Sequence, residues 1–256
     1  MSQIAFGQTE AEGSPSAEEK GLEIALEADR RSSGYEDFEA DMEMILIDAS
    51  GEESLRHLTV KNLEVNSDNE KDRSLISFHQ PRDVRGTALL TFTYIEKDND
   101  QWLYLPALKR VKTIVSSNKS GPFMGSEFSF EDMTTQIVEK YDYRFIRSEE
   151  CGNIECYVVE RTPKSEDSGY SREVIWLDND EFRTQRVDYY DRRNRFVKTL
   201  SLEDYQLYKN EFWRPSNMVM TNHETGKGTI LNWSKYQFGT GLGKSDFNRN
   251  ALKRIR

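Results

Sequence analysis

Most of the sequence is a succession of short segments in which apolar and polar residues alternate. In one such segment Phe38, Ala40, Met42, Met44 and Leu46 occupy every second position. Strict alternation indicates a β-strand with one buried face. Because such segments recur about every 8–15 residues without the rhythm of βαβ units, they predict a mainly β fold with an antiparallel sheet, open or closed.

The same pattern predicts strands along most of the chain, separated by turn-forming residues such as those of Asp48–Gly51 and Asp178–Asp180. Strands are expected at residues 38–47, 54–65, 74–80, 86–97, 101–105, 141–149, 156–162, 173–177, 184–190, 196–208, 212–222 and 229–238. Residues 245–256 are expected to form a short helix. The strand rhythm fails between Pro106 and Thr135.

One helix is well marked near the start of the chain. Ser16 and Glu19 form a capping-box pattern, which satisfies free amide groups in a first helical turn. Leu22, Ala25 and Leu26 then recur with helical spacing, Ile24 and Ala28 widen this apolar stripe, and Gly34 is a suitable stop signal. We expect this stripe to dock the helix on the sheet.

The composition limits the classes of function. The chain has 256 residues, 31% of them charged, with a formal net charge of -10, which argues against nucleic acid as a partner. No apolar run approaches the roughly 20 residues needed to cross a bilayer. No Gly/Ser-rich linker divides the sequence, so we expect a flexible tail over residues 1–17 and a single domain over residues 18–256. The first residues lack the features of a signal peptide, which leaves a cytosolic protein or an exported one whose signal was removed.

The segment without strand rhythm contains an unusually apolar loop. Over residues 116–133, here named the apolar loop, large side chains including Phe123, Phe128 and Met133 stand among Gly, Ser and Pro residues. Long irregular connections inside a domain are uncommon unless they act as lids or binding loops. We therefore expect these side chains to cover an apolar surface.

The two cysteines, Cys151 and Cys156, flank a short turn. If Asn153-Ile154 is the turn centre, the cysteines face each other and can form a disulfide. If Gly152-Asn153 is the centre, Cys156 pairs with Glu149 instead, which favours two free thiols. A zinc site is not expected, since no second Cys or His pair completes four ligands.

The sequence contains no recognisable catalytic motif. The three histidines, His57, His79 and His223, lie in predicted strands and form no metal-binding or nucleophile-activating pattern. Glu131-Asp132 is interpreted as an acidic pair in the first turn of a helix. The basic cluster around Lys109–Lys112 is expected to be a solvated face, with neutralisation of an anionic headgroup at a cavity mouth as the alternative.

Three segments in order, Gly86–Leu90, Trp102–Val111 and Phe123–Asp132, resemble the outer-membrane lipoprotein-sorting protein family with a LolA/LolB-like fold. The likeness begins near residue 18 and spans nearly the whole chain. The length resembles that of larger relatives associated with RND-type lipid exporters. The resemblance implies a strongly curved, incomplete antiparallel β-barrel, closed by helices and a lid loop.

The resemblance also implies a periplasmic carrier, with its signal peptide removed, that transports lipid or lipoprotein acyl chains towards the outer membrane. Its partners would be an inner-membrane RND-type exporter and an outer-membrane acceptor. The alternative is an accessory subunit of such an exporter without lipid cargo; an enzyme or a cofactor is not expected. The residues expected to bind lipid are Phe92, Tyr94, Trp102 and Tyr104 from the sheet and Phe123, Met124, Phe128 and Phe130 from the apolar loop.

Overall fold

The computed structural model describes residues 15–65, 67–250 and 252–254. Residues 1–14 of the expected N-terminal tail lie outside these ranges. The described ranges contain one α-helix and thirteen strands, together with five short 3-10 turns. The elements are α1 (Ala17–Ser32), β1 (Asp37–Ile47), β2 (Glu53–Glu64), β3 (Glu70–Gln80), β4 (Ala88–Tyr94), β5 (Asp100–Leu105), β6 (Arg110–Ile114), β7 (Tyr141–Cys151), β8 (Ile154–Pro163), β9 (Tyr170–Asp178), β10 (Thr184–Asp191), β11 (Phe196–Tyr208), β12 (Phe212–Asn222) and β13 (Gly228–Phe238).

All thirteen strands form one antiparallel sheet. Its order is β6-β5-β4-β3-β2-β1-β13-β12-β11-β10-β9-β8-β7. Strands that are adjacent in the sheet are therefore also consecutive in the sequence, except for β1 and β13. In the described ranges the edge strands β6 and β7 do not pair with each other, so the sheet is not closed into a barrel. The expected fold class, a mainly β protein with an incomplete antiparallel barrel, is confirmed.

The strand rhythm misses one element, β6. The sequence places no strand between Pro106 and Thr135, yet Arg110–Ile114 pairs with β5 along its length. Only Ile114 of this strand is buried, whereas Arg110 and Lys112 are exposed. An edge strand with charged residues has little apolar alternation to detect, and those charges discourage pairing with a further strand.

Helix α1 begins as expected and docks through one side of the expected stripe, where Ile24, Ala25 and Ala28 pack on the inner cluster. The Ser16 hydroxyl accepts a hydrogen bond from the Glu19 amide at 3.1 Å, and the Glu19 carboxylate accepts one from the Ser16 amide at 2.8 Å. The buried residues are Gly21 and Ile24, while Leu22 and Leu26 are 43% and 50% exposed. The helix approaches β7 at Gly21, which turns the two leucines outward.

The two faces of the sheet have separate apolar clusters. The inner cluster gathers side chains from both halves of the sheet, among them Met44, Phe78 and Leu231. The outer cluster is smaller and joins residues of β3, β4 and β5 to Phe247 and Leu252. The C-terminal segment thus covers part of the outer face, as two 3-10 turns (Lys244–Asp246 and Leu252–Arg254) instead of the expected helix.

The cysteine hairpin combines features of both sequence alternatives. Cys156 pairs with Glu149 across the hairpin and Cys151 pairs with Ile154, so the turn is centred on Gly152-Asn153. The structure nevertheless joins Cys151 to Cys156 by a disulfide, with Cα atoms 5.9 Å apart. The diagonal across this two-residue turn therefore lies within the usual Cα separation for a disulfide.

We expect thiol titration of the unfolded, unreduced protein to find no free thiol. Reduction opens a very short loop, for which the chain-entropy estimate is about 2 kcal/mol of unfolding free energy. A Cys151→Ser/Cys156→Ser double variant should lose a similar amount in urea denaturation. Two thiols per chain in the oxidised protein would contradict the disulfide.

A second prediction concerns the contact of α1 with β7. A Cβ atom on Gly21 would lie 2.7–2.8 Å from backbone atoms of Arg144 and Phe145, too close for real contacts. Gly21→Ala should therefore lower the free energy of unfolding by about 1–3 kcal/mol, although Ala favours helices over Gly. Glu23→Ala on the exposed side of α1 is the control and should be nearly neutral. Equal stability of the two variants in urea denaturation would exclude the close approach.

Candidate functional site

A cavity of about 500 Å³ lies between α1 and the inner face of the sheet. Ala25 and Ala28 form its helical wall, and Val138 borders it after the apolar loop. The strands supply the remaining apolar walls, which include Val159, Ile175, Leu177, Leu202, Met218 and Trp233. The small side chains of α1 leave space above the sheet that longer residues would fill.

The volume sets the size of a suitable ligand. Ligand pockets usually measure about 300–1,000 Å³, and a dry apolar cavity of about 150 Å³ holds benzene. By that scale, the 500 Å³ cavity has room for about 20 carbon atoms. This corresponds to one long hydrocarbon chain.

Charged residues border the cavity where α1 ends. Arg31 contacts Glu181 at 2.8 Å, and Lys71 contacts Asp29 at 2.9 Å. The cavity-lining Arg214 has no Asp or Glu oxygen within 4 Å in the described part of the chain. This wall is therefore polar and only partly neutralised.

Two more cavity arginines are held by carboxylates from the sheet. Arg183 contacts Asp178 at 2.8 Å, and Arg161 donates to the fully buried Glu173 at 2.8 Å. Burial is the largest influence on Arg161 and disfavours its charge, but Glu173 together with the neighbouring tyrosines Tyr141 and Tyr143 raises its pKa. Removing either member of this pair would leave a buried charge without a partner.

Asp72 is a buried carboxyl group in the cavity wall. It is 1% exposed, and neither oxygen has a hydrogen-bond partner among the residues described. Burial raises the pKa of Asp72 above its usual value. Burial therefore disfavours the charged form of this carboxyl group.

The apolar loop closes the concave face of the sheet beside the cavity. Phe123 and Phe128 are 0% and 2% exposed. The Phe123 ring packs 5.8 Å from Phe78 of β3 and 5.6 Å from Phe130 of the same loop. The loop thus fills its part of the concave face with side chains, and the open volume lies next to it under α1.

A buried ion pair fastens the apolar loop to the sheet. Lys198 of β11 contacts the Asp132 carboxylate at 2.7 Å and donates to the carbonyl oxygen of Glu127 at 3.0 Å. The Tyr170 hydroxyl donates to Asp132 at 2.9 Å. Asp132 also accepts from the Ser129 amide in a turn, so the expected helix beginning at Glu131-Asp132 is wrong.

The eight residues expected to bind lipid are placed away from this cavity, and none belongs to its described lining. Phe92, Trp102 and Tyr104 pack in the outer cluster under the C-terminal segment, and Tyr94 lies beneath the Lys97 ammonium. Strand alternation identifies a face of β4 and β5 but not which face is concave.

All four loop residues, Phe123, Met124, Phe128 and Phe130, pack in the inner cluster. Phe128 also borders a second, more open depression of about 740 Å³ beside β11 and β12. Lipid binding by any of the eight stays a prediction. The cavity residues themselves, spread over α1 and distant strands, have no common sequence signal.

Each of the three histidines contacts a different side chain. His79 bonds Thr59 at 2.8 Å and His223 bonds Thr199 at 2.9 Å, whereas His57 lies 3.5 Å from Glu43. The described ranges contain no cluster of three or more His, Cys, Asp or Glu side chains suited to a metal ion.

Comparison with known proteins identifies the family. A sequence-family model described as an uncharacterized protein matches residues 70–254. A crystal structure from Vibrio parahaemolyticus, of a domain assigned to the outer membrane lipoprotein-sorting proteins, is 49% identical. It has a TM-score of 0.89, and the match covers 92% of this chain and 99% of that one. A search of curated proteins found no significant match.

Two further structures extend the comparison. A DUF1329 family protein from Desulfovibrio piger is 31% identical, with a TM-score of 0.88 and coverage of 93% of this chain and 100% of that one. A LolA superfamily protein from Nitrosomonas europaea shares the fold at 19% identity, with a TM-score of 0.72 and coverage of 90% and 98%. The chain therefore belongs to the outer membrane lipoprotein-sorting family, with the LolA-like fold and a DUF1329 relative. None of these three structures is described as an enzyme.

No helix in the residues that the structure describes is both long and apolar enough to span a bilayer.

The attachment of the apolar loop should depend on pH through Glu131. Burial and the neighbouring Asp132 raise the pKa of Glu131 from 4.5 to about 7, although Ser168 and the Gly169 amide donate to it at 2.9 Å. Because the folded state holds this proton more tightly, stability should fall as pH rises from 4.5 to about 7. The loss is at most about 3 kcal/mol.

Glu131→Gln should remove this part of the pH dependence and raise stability above neutral pH. Urea denaturation across the pH range measures the effect, with Glu23→Gln on the exposed side of α1 as control. A Glu131→Gln profile parallel to that of the wild type would contradict the assignment.

Proposed function

We propose that this protein is a periplasmic carrier that binds lipid, or an acyl chain of a lipoprotein, in the cavity under α1 for transport towards the outer membrane. The observation that carries the proposal is the 500 Å³ cavity with mainly apolar walls. The Vibrio parahaemolyticus relative, described by its role in outer membrane lipoprotein sorting, supports the same direction of transport.

The physical basis is the burial of hydrocarbon. Each methylene removed from water contributes about 0.8 kcal/mol, so a chain of about 16 carbons contributes roughly 12 kcal/mol before the costs of ordering and association. A carrier must also release its cargo. The cavity is walled on one side by a single helix, so displacement of α1 would open it without separating sheet strands.

Exchange of cargo requires a donor and an acceptor. In this proposal an inner-membrane RND-type exporter supplies the lipid and an outer-membrane protein receives it, which would fit the resemblance to larger relatives associated with such exporters. Leu22 and Leu26 on the outer side of α1 give the helix an exposed apolar face for such contacts. An accessory subunit without cargo would not need an open apolar cavity, which favours the carrier.

Filling the cavity tests the carrier function. The wild type should bind a fluorescent fatty acid saturably, and native mass spectrometry should detect lipid on protein exposed to membranes. In Ala28→Trp the indole should displace at least about two methylenes of the ligand and weaken binding about tenfold or more.

Glu23→Trp adds the same indole to the exposed side of α1 and should bind like the wild type. Absence of saturable binding and of bound lipid in the wild type would exclude the carrier function. Equal binding by the two tryptophan variants would place the lipid elsewhere on the protein.

A further inference from the structure

The cavity wall contains one cation that is not neutralised by a carboxylate. The guanidinium of Arg214 on β12 donates to the carbonyl oxygens of Trp213 at 2.9 Å and Ser32 at 3.1 Å. No Asp or Glu oxygen in the described ranges lies within 4 Å of it. The other four basic side chains of the wall each contact a carboxylate; they are Arg31, Lys71, Arg161 and Arg183.

The acidic residue best placed to neutralise Arg214 is already engaged. Glu64 also lines the cavity, but its carboxylate accepts hydrogen bonds from the amides of Gly34 and Glu36 at 2.9 Å, in the turn after α1. Burial lowers the pKa of Arg214, and the neighbouring Tyr35 and Glu64 offset this only in part. Such a group gains from any anion that enters the cavity.

Aromatic rings hold the guanidinium in place. Its central carbon lies 5.2 Å from the centre of the Tyr35 ring, 5.7 Å from that of Phe238 and 5.8 Å from that of Phe212. Cation–π contacts stabilise the charge but do not satisfy the donors of the planar fork. A carboxylate or a phosphate matches that fork geometrically.

We propose that Arg214 binds the anionic headgroup of a single-chain lipid whose hydrocarbon tail occupies the cavity under α1. The headgroup is a carboxylate or a phosphate monoester and lies beside Ser32, where the helix ends. This inference rests on the carrier function proposed above and adds the number of tails and the charge of the head. The number of tails follows from the volume of the cavity, which has room for about 20 carbon atoms.

The pairing of charges in the wall agrees with an anionic ligand. In a chain of net charge -10, the cavity lining contains five basic and four acidic side chains, and two further carboxylates, Glu173 and Asp178, pair with the lining Arg161 and Arg183. Of the acidic ones, Asp29 and Glu181 are paired with cations and Glu64 is bound by amides. Burial favours the neutral form of Asp72. The attraction for an anion is therefore local to the guanidinium of Arg214, the basic side chain of the described lining that contacts no carboxylate.

The test compares ligands that have the same chain length and differ in the head. Palmitate, hexadecyl phosphate, methyl palmitate and hexadecanol are titrated as displacers of a fluorescent fatty acid below their aggregation concentrations. A hydrogen-bonded charge pair raises binding affinity about tenfold or more, so the wild type should bind an anionic ligand more tightly than the neutral ligands by that factor. Preference for palmitate identifies a carboxylate head, and preference for hexadecyl phosphate identifies a phosphate head.

Arg214→Gln should abolish this preference and leave binding of methyl palmitate within about twofold of the wild type. Arg30→Gln is the matched control, because it removes an equal charge from the end of α1 but outside the cavity lining, where Arg30 is paired with Glu27. It should retain the preference. Equal loss in both variants would show a general charge effect and overturn the assignment to Arg214.

The comparison of the four ligands on the wild-type protein tests the headgroup site even if Arg214→Gln does not fold. Equal binding of palmitate, hexadecyl phosphate and methyl palmitate would overturn the headgroup site and leave the carrier function intact. Failure to bind any of the four ligands would instead exclude the carrier function, and the headgroup site with it.

Discussion

A sheet that curls without closing leaves a concave apolar face that strands alone cannot cover. In this protein the apolar loop and α1 each cover part of the concave face, because both contact strands that are far apart in the sheet. The loop receives a hydrogen bond from Gln101 of β5 and contacts Lys198 of β11, on opposite sides of the β1–β13 junction. The two covers differ in kind: aromatic side chains fill the space under the loop, whereas the small residues of α1 leave a cavity.

The strands were predictable because burial of one face imposes a period of two on the sequence. Phe196–Tyr208 and Phe212–Asn222 agree with the expectation at both ends. Edge strand β6 lacks the apolar half of the pattern and was missed for that reason. Helix α1 was found from its cap, but Leu22 and Leu26 of its stripe point outward because Gly21, with no side chain, sets the contact with β7.

The cavity could not be read from the sequence for a different reason. Its walls come from α1 and from strands separated by many residues, and alternation does not reveal which face of a sheet is concave. Leu89 and Leu90 of β4 are both fully buried, one in each cluster. For Arg214 the informative fact is the lack of a carboxylate partner in the described structure, and no local motif encodes that.

The pairing of β1 with β13 also governs how the chain is assembled. Phe38 pairs with Phe238, which is made 200 positions later. Strands β1 to β6 can associate as local hairpins, but one edge of β1 then stays open until the last strand emerges. Such long-range closure is slow, and an open apolar edge invites pairing between molecules. Chaperoning of the nascent chain, or delayed folding until synthesis is complete, would protect that edge.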